Sequence, residues 1–406
     1  MRVRAAWMVL VALCASRVEA QPTGTGAIVL KFDPSVRDAG MGGAAAASFW
    51  TNGEASWCNP ALLGSVRGIG YDYSSTQLVP SLADDIFFRA ERFRIGEFGI
   101  GASFSGEPSD RLGFARLDYG TSEVPGGGTF TSFEDVDTWA VGADLVDVTE
   151  NILRAAHVGD LVLTRTLGVS IGYASKKVRV VLAPSSVLPE PGAELSASAP
   201  VEVLDRGLLV RFTPYEGGRW FFQRDAMPEH GNFRFDVAYG LGIQNQPDEQ
   251  VVFPLIPNSD PIARFTHHGI ALRASRRMAD EFRDTTLGWV VGPYGEYWSV
   301  SVAAGRETES YPGTGGDRIT IEPVERFGLE MELLDLVAFR YGYLEDERGQ
   351  ISGSTLGLSL GLQYRGFAGV RWDFAKIPQA EGLAKVERHA VVAFVDGIEI
   401  ARALRH

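Results

Sequence analysis

Hydrophobic residues recur at every second position over most of the chain. Phe233, Phe235, Val237, Tyr239, Leu241 and Ile243 alternate with Arg234, Asp236, Ala238, Gly240 and Gly242. Leu356, Leu358, Leu360, Leu362 and Tyr364 alternate with Thr355, Gly357, Ser359, Gly361 and Gln363. The same period appears in Leu167/Val169/Ile171/Tyr173, Trp139/Val141/Ala143/Leu145, Val337/Phe339/Tyr341/Tyr343 and Val370/Trp372/Phe374. Successive side chains of a strand face opposite sides, so each run has one apolar face and one small or polar face.

Two all-β architectures fit. A soluble sandwich buries its apolar faces against each other, and a membrane barrel turns them to lipid around a polar lumen. The runs favour the barrel. They extend over about nine to thirteen residues, against ~5–6 for soluble strands and ~9–11 for a tilted membrane strand. Their opposite faces carry Gly, Ser and Ala with scattered Arg, Asp and Glu, and aromatics such as Phe233, Tyr343, Tyr364 and Phe374 sit near run ends. About fourteen to sixteen runs predict an all-β, antiparallel transmembrane β-barrel of middle size. On this reading an arginine at Leu358 faces lipid and blocks assembly, and one at Ser359 faces the lumen and is better tolerated.

The first residues do not alternate. Arg2 and Arg4, the apolar stretch Trp7–Ala15 and Val18-Glu19-Ala20 read as a signal peptide over residues 1–20. The mature chain then has 35 basic and 50 acidic residues, a balance that argues against nucleic acid as a partner. Cys58 is its one cysteine, which leaves no intrachain disulfide and reads as a small packed residue. Glycine is abundant, 47 of 406 residues, without the strict period of collagen. Residues 21–67 read as a hatch ahead of a barrel over 68–396, with a tail at 397–406. Within the hatch, Asn59 caps a one-turn helix, Pro60 fits its first position and Gly64 ends it. Met41 among Gly40, Gly42 and Gly43 suits close backbone packing. Asp147–Ala156 predicts a short amphipathic helix, with Asp147 and Glu150 at capping-box spacing. Two loop segments are apolar, and Trp220, Phe221, Phe222, Phe253, Leu255 and Ile256 are candidate ligand or partner contacts.

No chemical motif rises to an enzyme. Gly168-Val-Ser-Ile-Gly172 and Gly357-Leu-Ser-Leu-Gly361 match G-x-S-x-G, but a nucleophile elbow needs a sharp strand-to-helix turn, and both lie in uninterrupted alternation. His267 and His268 point to opposite faces of a strand, and the remaining histidines show no zinc spacing. No metal or cofactor is expected.

Asp38-Ala-Gly-Met-Gly-Gly-Ala-Ala-Ala-Ala47, followed by Glu54-Ala-Ser-Trp-Cys-Asn-Pro-Ala-Leu-Leu63, resembles the N-terminal signature of the PorV/PorQ proteins within the FadL-like outer-membrane barrels. The stretches Tyr341–Asp346 and Trp372–Ala375 resemble that group's last strands. The resemblance implies a transmembrane antiparallel β-barrel of about 14 strands with an N-terminal hatch, a bacterial outer-membrane location and a hatch motif of Asp38, Gly40, Met41, Gly42, Gly43, Asn59, Pro60 and Ala61. It implies a PorV-like role, binding exported proteins through a C-terminal sorting domain and delivering them to the surface, as in type IX secretion. The alternatives are a FadL-like passive channel for hydrophobic small molecules, and a structural barrel or lipid-modifying enzyme.

Overall fold

The computed structural model describes residues 26–80, 82–105, 115–123, 129–156, 166–181, 200–217, 219–220, 233–252, 259–277, 285–286, 296–312, 317–347, 349–364 and 368–396. Its alternating runs form fourteen antiparallel barrel strands. They are β1 Gly68–Gln77, β2 Ile86–Glu97, β3 in two pieces (Ile100–Ser105 and Ala115–Glu123), β4 Thr129–Asp144, β5 Leu167–Val181, β6 Val201–Glu216 and β7 Phe233–Gln246. The second half comprises β8 Arg264–Arg277, β9 Glu296–Pro312, β10 Val324–Leu333, β11 Val337–Asp346, β12 Ile351–Tyr364, β13 Ala368–Ile377 and β14 Val386–Val395. The two pieces of β3 each pair with both β2 and β4, so they count as one interrupted strand. The sheet closes where Ile69–Thr76 of β1 pair with Val395–Arg388 of β14. Closure removes every sheet edge, which a spanning sheet needs because lipid cannot hydrogen-bond a free backbone.

The chain enters and leaves the barrel at the end that holds Gly68 and Val395, here the near end. From that end, an outward band of Ile95, Ile100, Val141, Ile171, Leu360 and Leu362 is exposed without protein cover. Toward the far end, charges take over the outer face, among them the exposed pairs Arg306–Glu325 and Lys376–Glu387. The inner face changes in the opposite sense on β2 to β5. On β2, Phe93 and Ile95 face out and Arg92 and Arg94 face in; closer to the far end, Arg89 and Glu91 face out and Phe88 and Ala90 face in. On β5 the inner face passes from Gly168, Ser170 and Gly172 to Val178 and Val180, while Lys177 and Arg179 turn outward. The strand continues without a break while its hydrophobic phase slips by one residue. The near part is therefore a membrane barrel with a polar lumen, and the far part has a water-facing exterior and, on β2 to β5, a largely apolar inner wall.

Leu360 is 49% exposed in the lipid band. Leu360→Arg is expected to cost about 2–4 kcal/mol if it lies near the bilayer midplane, read as loss of the heat-modifiable folded form in membranes. Equal yields of variant and wild type would contradict a lipid-facing position. Ser359 does not face open lumen: its hydroxyl donates to Asp373 and its side chain is fully buried. An arginine there would meet Asp373 and the packed wall instead of open lumen, so Ser359→Arg is now expected to be costly as well.

Both G-x-S-x-G segments lie within continuous strands, β5 and β12. His267 faces inward to Gln244 and Glu307, and His268 faces outward to Tyr239. The predicted helix exists as Leu145–Ala155, but its cap is Asp144, whose Oδ1 accepts from the backbone N–H groups of Val146 and Asp147. The cap falls three residues ahead of the Asp147 expected from the capping-box spacing, because β4 runs directly into the helix.

Candidate functional site

The described N-terminal segment, from Gly26 to Arg67, lies inside the barrel. It begins with a parallel bridge from Gly26 to Ile262 near the far end and passes through the 3₁₀ turn Ile28–Lys31. Helix α1, Val36–Gly40, follows, capped by Ser35, and the segment then descends to the 3₁₀ turn Pro60–Ser65 beside the near end. Asn59 caps that last turn as expected, accepting from Ala61 N–H at 3.1 Å. Gly64 lies inside the turn instead of ending it. A Cβ there would come within 2.6 Å of the Asp144 nitrogen, so its place is set by contact with the wall.

Glycines of the wall make room for this segment. Gly68, Gly96, Gly101, Gly142, Gly172, Gly207 and Gly242 stand directly opposite one another on seven successive strands. Gly240, Gly269 and Gly305 continue the line across β7 to β9, and Gly328 and Gly342 face each other on β10 and β11. At most of these positions a side chain would run into the hatch. A Cβ at Gly142 would lie 2.6 Å from the Pro60 carbonyl oxygen, and one at Gly328 would lie 2.6 Å from that of Met41. The hatch glycines answer them: Gly40 packs on Gly357, and Gly42 and Gly43 adopt positive φ of 68° and 75°.

Polar contacts stitch the hatch to the wall. Asn59 donates to the carbonyls of Ala46 (2.7 Å) and Leu208 (3.1 Å). Val29 N–H donates to Glu134, and Thr355 donates to the Gly40 carbonyl. A chain of charges also ties the hatch to the wall. Arg37 of α1 makes a two-pronged contact with Glu330 of β10 at 2.7 and 2.8 Å. Glu330 also accepts from Arg340 of β11 and from the Trp50 indole. Arg340 lies 3.5 Å from Asp373 of β13, and Arg371 bridges Asp373 to Glu54 of the hatch. Arg37, Glu54, Glu330, Arg340 and Asp373 are all buried.

Two cavities flank the hatch. At the near mouth a space of about 520 Å³ is lined by polar side chains such as Arg211, Arg234, Asp236 and Glu296. On the far side a space of about 190 Å³ has a mixed lining: Leu30, Phe32, Trp57, Phe265 and Ile377 supply apolar surface, and Lys31, Asp33, Asp38, His267, Glu307, Arg326 and Arg388 supply charged or polar groups. It adjoins an inward apolar cluster of Phe88, Leu117, Val136, Val178, Val180 and Val203, which Ala27, Val29 and Leu30 of the hatch cover.

Asp38 is buried, and neither of its carboxylate oxygens finds a hydrogen-bond partner among the described residues. Burial, with Asp33 and Glu54 close by, pushes its carboxyl up to about 7, offset in part by Ser35 and Arg37. The docked hatch thus holds a proton that a displaced hatch, with Asp38 near 3.8, releases. Docking should weaken as pH rises from about 4 to about 7. Protease cleavage within 26–67 is expected to be faster at pH 8 than at pH 5, and Asp38→Asn should flatten that ratio. The same ratio in both proteins would assign the titration elsewhere.

The hatch motif residues Asp38, Gly40, Met41, Gly42, Gly43, Asn59, Pro60 and Ala61 thus all lie in the lumen, against the wall or the cavity. The loop candidates are not brought together. Trp220 is exposed at the near end beside Tyr215, whereas the segment that contains Val251 and Val252 is at the far end. Phe221, Phe222, Phe253, Leu255 and Ile256 lie outside the described residues.

No protein-family model and no curated protein matches the chain. Solved structures with a similar outline include the Ralstonia pickettii toluene transporter TbuX, at 12% identity and TM-score 0.40 over 90% of this chain and 98% of that one. Others are the CymD monoaromatic hydrocarbon channel (12%, TM-score 0.37, 88% and 94%) and the P. putida toluene transporter TodX (9%, TM-score 0.35, 83% and 92%). The roles in those names belong to those proteins.

Proposed function

We propose that the protein is an outer-membrane channel for small hydrophobic molecules, with the N-terminal hatch as its movable closure. The observation that supports this reading is the inverted inner face of β2 to β5, which Val203 of β6 extends. A porin lumen is polar throughout, but here the wall toward the far end presents Phe88, Leu117, Val136, Val178 and Val203 inward. An apolar solute that takes the place of Ala27, Val29 and Leu30 on this wall exchanges water for hydrocarbon, at roughly 25 cal/mol per Å² of surface buried. The 190 Å³ cavity beside it has the size of a single-ring molecule, since an apolar cavity of ~150 Å³ takes up benzene. The polar near mouth then releases the solute once the hatch yields. Delivery of exported proteins draws no comparable support, because most of the loop residues expected to carry it lie outside the described residues.

Uptake of radiolabelled toluene by cells that lack other hydrophobic-compound channels tests the reading. Expression of the protein should raise the uptake rate over barrel-free cells, and Phe88→Asp should abolish the gain at equal membrane yield. Uptake no faster than in barrel-free cells would overturn it. Co-purification of an exported protein through a shared C-terminal domain would favour the secretion role instead.

A further inference from the structure

Helix α2, Leu145–Ala155, joins β4 to β5 at the near end. At 100° per residue it divides cleanly: Asp147, Glu150 and Asn151 share one side, and Leu145, Thr149 and Ile152 share the other. A helix on a water-facing surface turns its apolar stripe toward the protein. Here the orientation is reversed. Asp147, Glu150 and Asn151 line the 520 Å³ cavity at the barrel mouth, and the Asn151 amide donates to the Phe98 carbonyl at 3.3 Å. The apolar stripe faces away from the barrel, with Ile152 62% and Leu145 44% exposed. That stripe is continuous with the lipid band: Leu145 follows β4, where Ala143 stands in register between Ile100 of β3 and Ile171 of β5, both exposed.

We propose that α2 lies in the lipid interface of the leaflet at the near end, its Leu145–Thr149–Ile152 stripe among acyl chains and its polar side roofing the barrel mouth. The partner is the bilayer, recognised by its hydrocarbon. The acidic residues of α2 are turned inward, so contact with the membrane rests on buried apolar area and not on headgroup charge. Eleven residues give a rod about 16 Å long, long enough to fix β4 and β5 at a set depth. The mouth cavity gains a wall held by the membrane itself. The inference rests on the membrane-barrel fold and not on the identity of any solute.

Nitroxide labels on the full-length protein in phosphatidylcholine vesicles test it, at Ile152→Cys, Glu150→Cys and Leu360→Cys in separate samples. Mock-labelled wild type supplies the background from the buried Cys58. Power-saturation spectra compare collisions with oxygen, which concentrates in lipid, and with a neutral nickel chelate, which stays in water. The expected result is a several-fold oxygen preference at Ile152, as at Leu360, and a nickel preference at Glu150. A nickel preference at Ile152 beside a lipid signature at Leu360 would overturn the inference and leave the barrel intact. Shielding of Ile152 from both reagents would place protein on the stripe and also overturn it. A nickel preference at Leu360 itself would remove the membrane barrel and the inference together.

Discussion

Replacing Glu330 with alanine should lower the stability of the folded barrel by about 3–5 kcal/mol and release the hatch from one side of the wall. Glu330 is fully buried and meets three donors at once: Arg37 of the hatch, Arg340 of the wall and the Trp50 indole. Its carboxylate is the one described partner that joins Arg37 to Arg340. Without it two guanidinium groups face each other with only Glu332, Asp373 and the distant Glu54 to answer them. A buried charge stripped of its partner keeps its full desolvation cost and loses its compensation. Glu330→Gln should fall between alanine and wild type, since the amide oxygen still accepts but the charge is gone. The exposed pair Arg306–Glu325 supplies the reference: Glu325→Gln should change stability by under about 1 kcal/mol. The midpoint of heat modification on gels measures the barrel, and protease access to residues 26–67 measures the hatch. If Glu330→Ala and Glu325→Gln shift both readouts equally, the buried charge chain is not what holds the hatch.

The strands were legible because a membrane barrel writes its two environments into neighbouring residues. Leu356 to Tyr364 and Phe233 to Ile243 announce an apolar outer face and a small inner one, and both runs became strands, β12 and β7. The one-turn helix behind Asn59 was legible for a local reason, since a cap and a proline act within a few residues. What escaped depends on the far part of the barrel or on partners distant in sequence. On β2 the order Ala90-Glu91-Arg92-Phe93 interrupts strict alternation, which reads as the end of a strand; in the structure it is where the outer surface passes from lipid to water. The signal was present, as a slip of hydrophobic phase inside an unbroken run. Arg37 and Glu330 are 293 residues apart, and nothing local couples them. The cap at Asp144 was missed because the strand residue before a helix also satisfied the alternation. The abundance of glycine was visible, but its use was not. Gly101, Gly142, Gly172 and Gly207 belong to four different strands, and only the register sets them side by side.

That alignment leads to the second large effect: Gly142→Ala should displace the hatch and open the lumen without unfolding the barrel. The added methyl group points into the lumen, 2.6 Å from the Pro60 carbonyl oxygen, 2.8 Å from Leu63 Cβ and 2.9 Å from the Gly64 nitrogen. Two of those are backbone atoms of the turn Pro60–Ser65, which Asn59 and the wall already fix, so no side-chain rotation relieves the clash. The ladder hydrogen bonds of β4 to β3 and β5 do not involve the Cβ position, and alanine is no worse than glycine in a strand. The strain therefore falls on the hatch, whose turn must leave the wall. Gly361→Ala is the matched control: it adds the same methyl group on β12, where the nearest atom is the Leu336 oxygen at 3.4 Å, an ordinary contact. In planar bilayers Gly142→Ala is expected to raise single-channel conductance above both wild type and Gly361→Ala, with cleavage of 26–67 rising in parallel. A closed Gly142→Ala channel with normal heat modification would mean that the hatch absorbs the methyl group in place. The glycine line would then serve the close packing of a fixed plug, and the route past it would have to lie elsewhere.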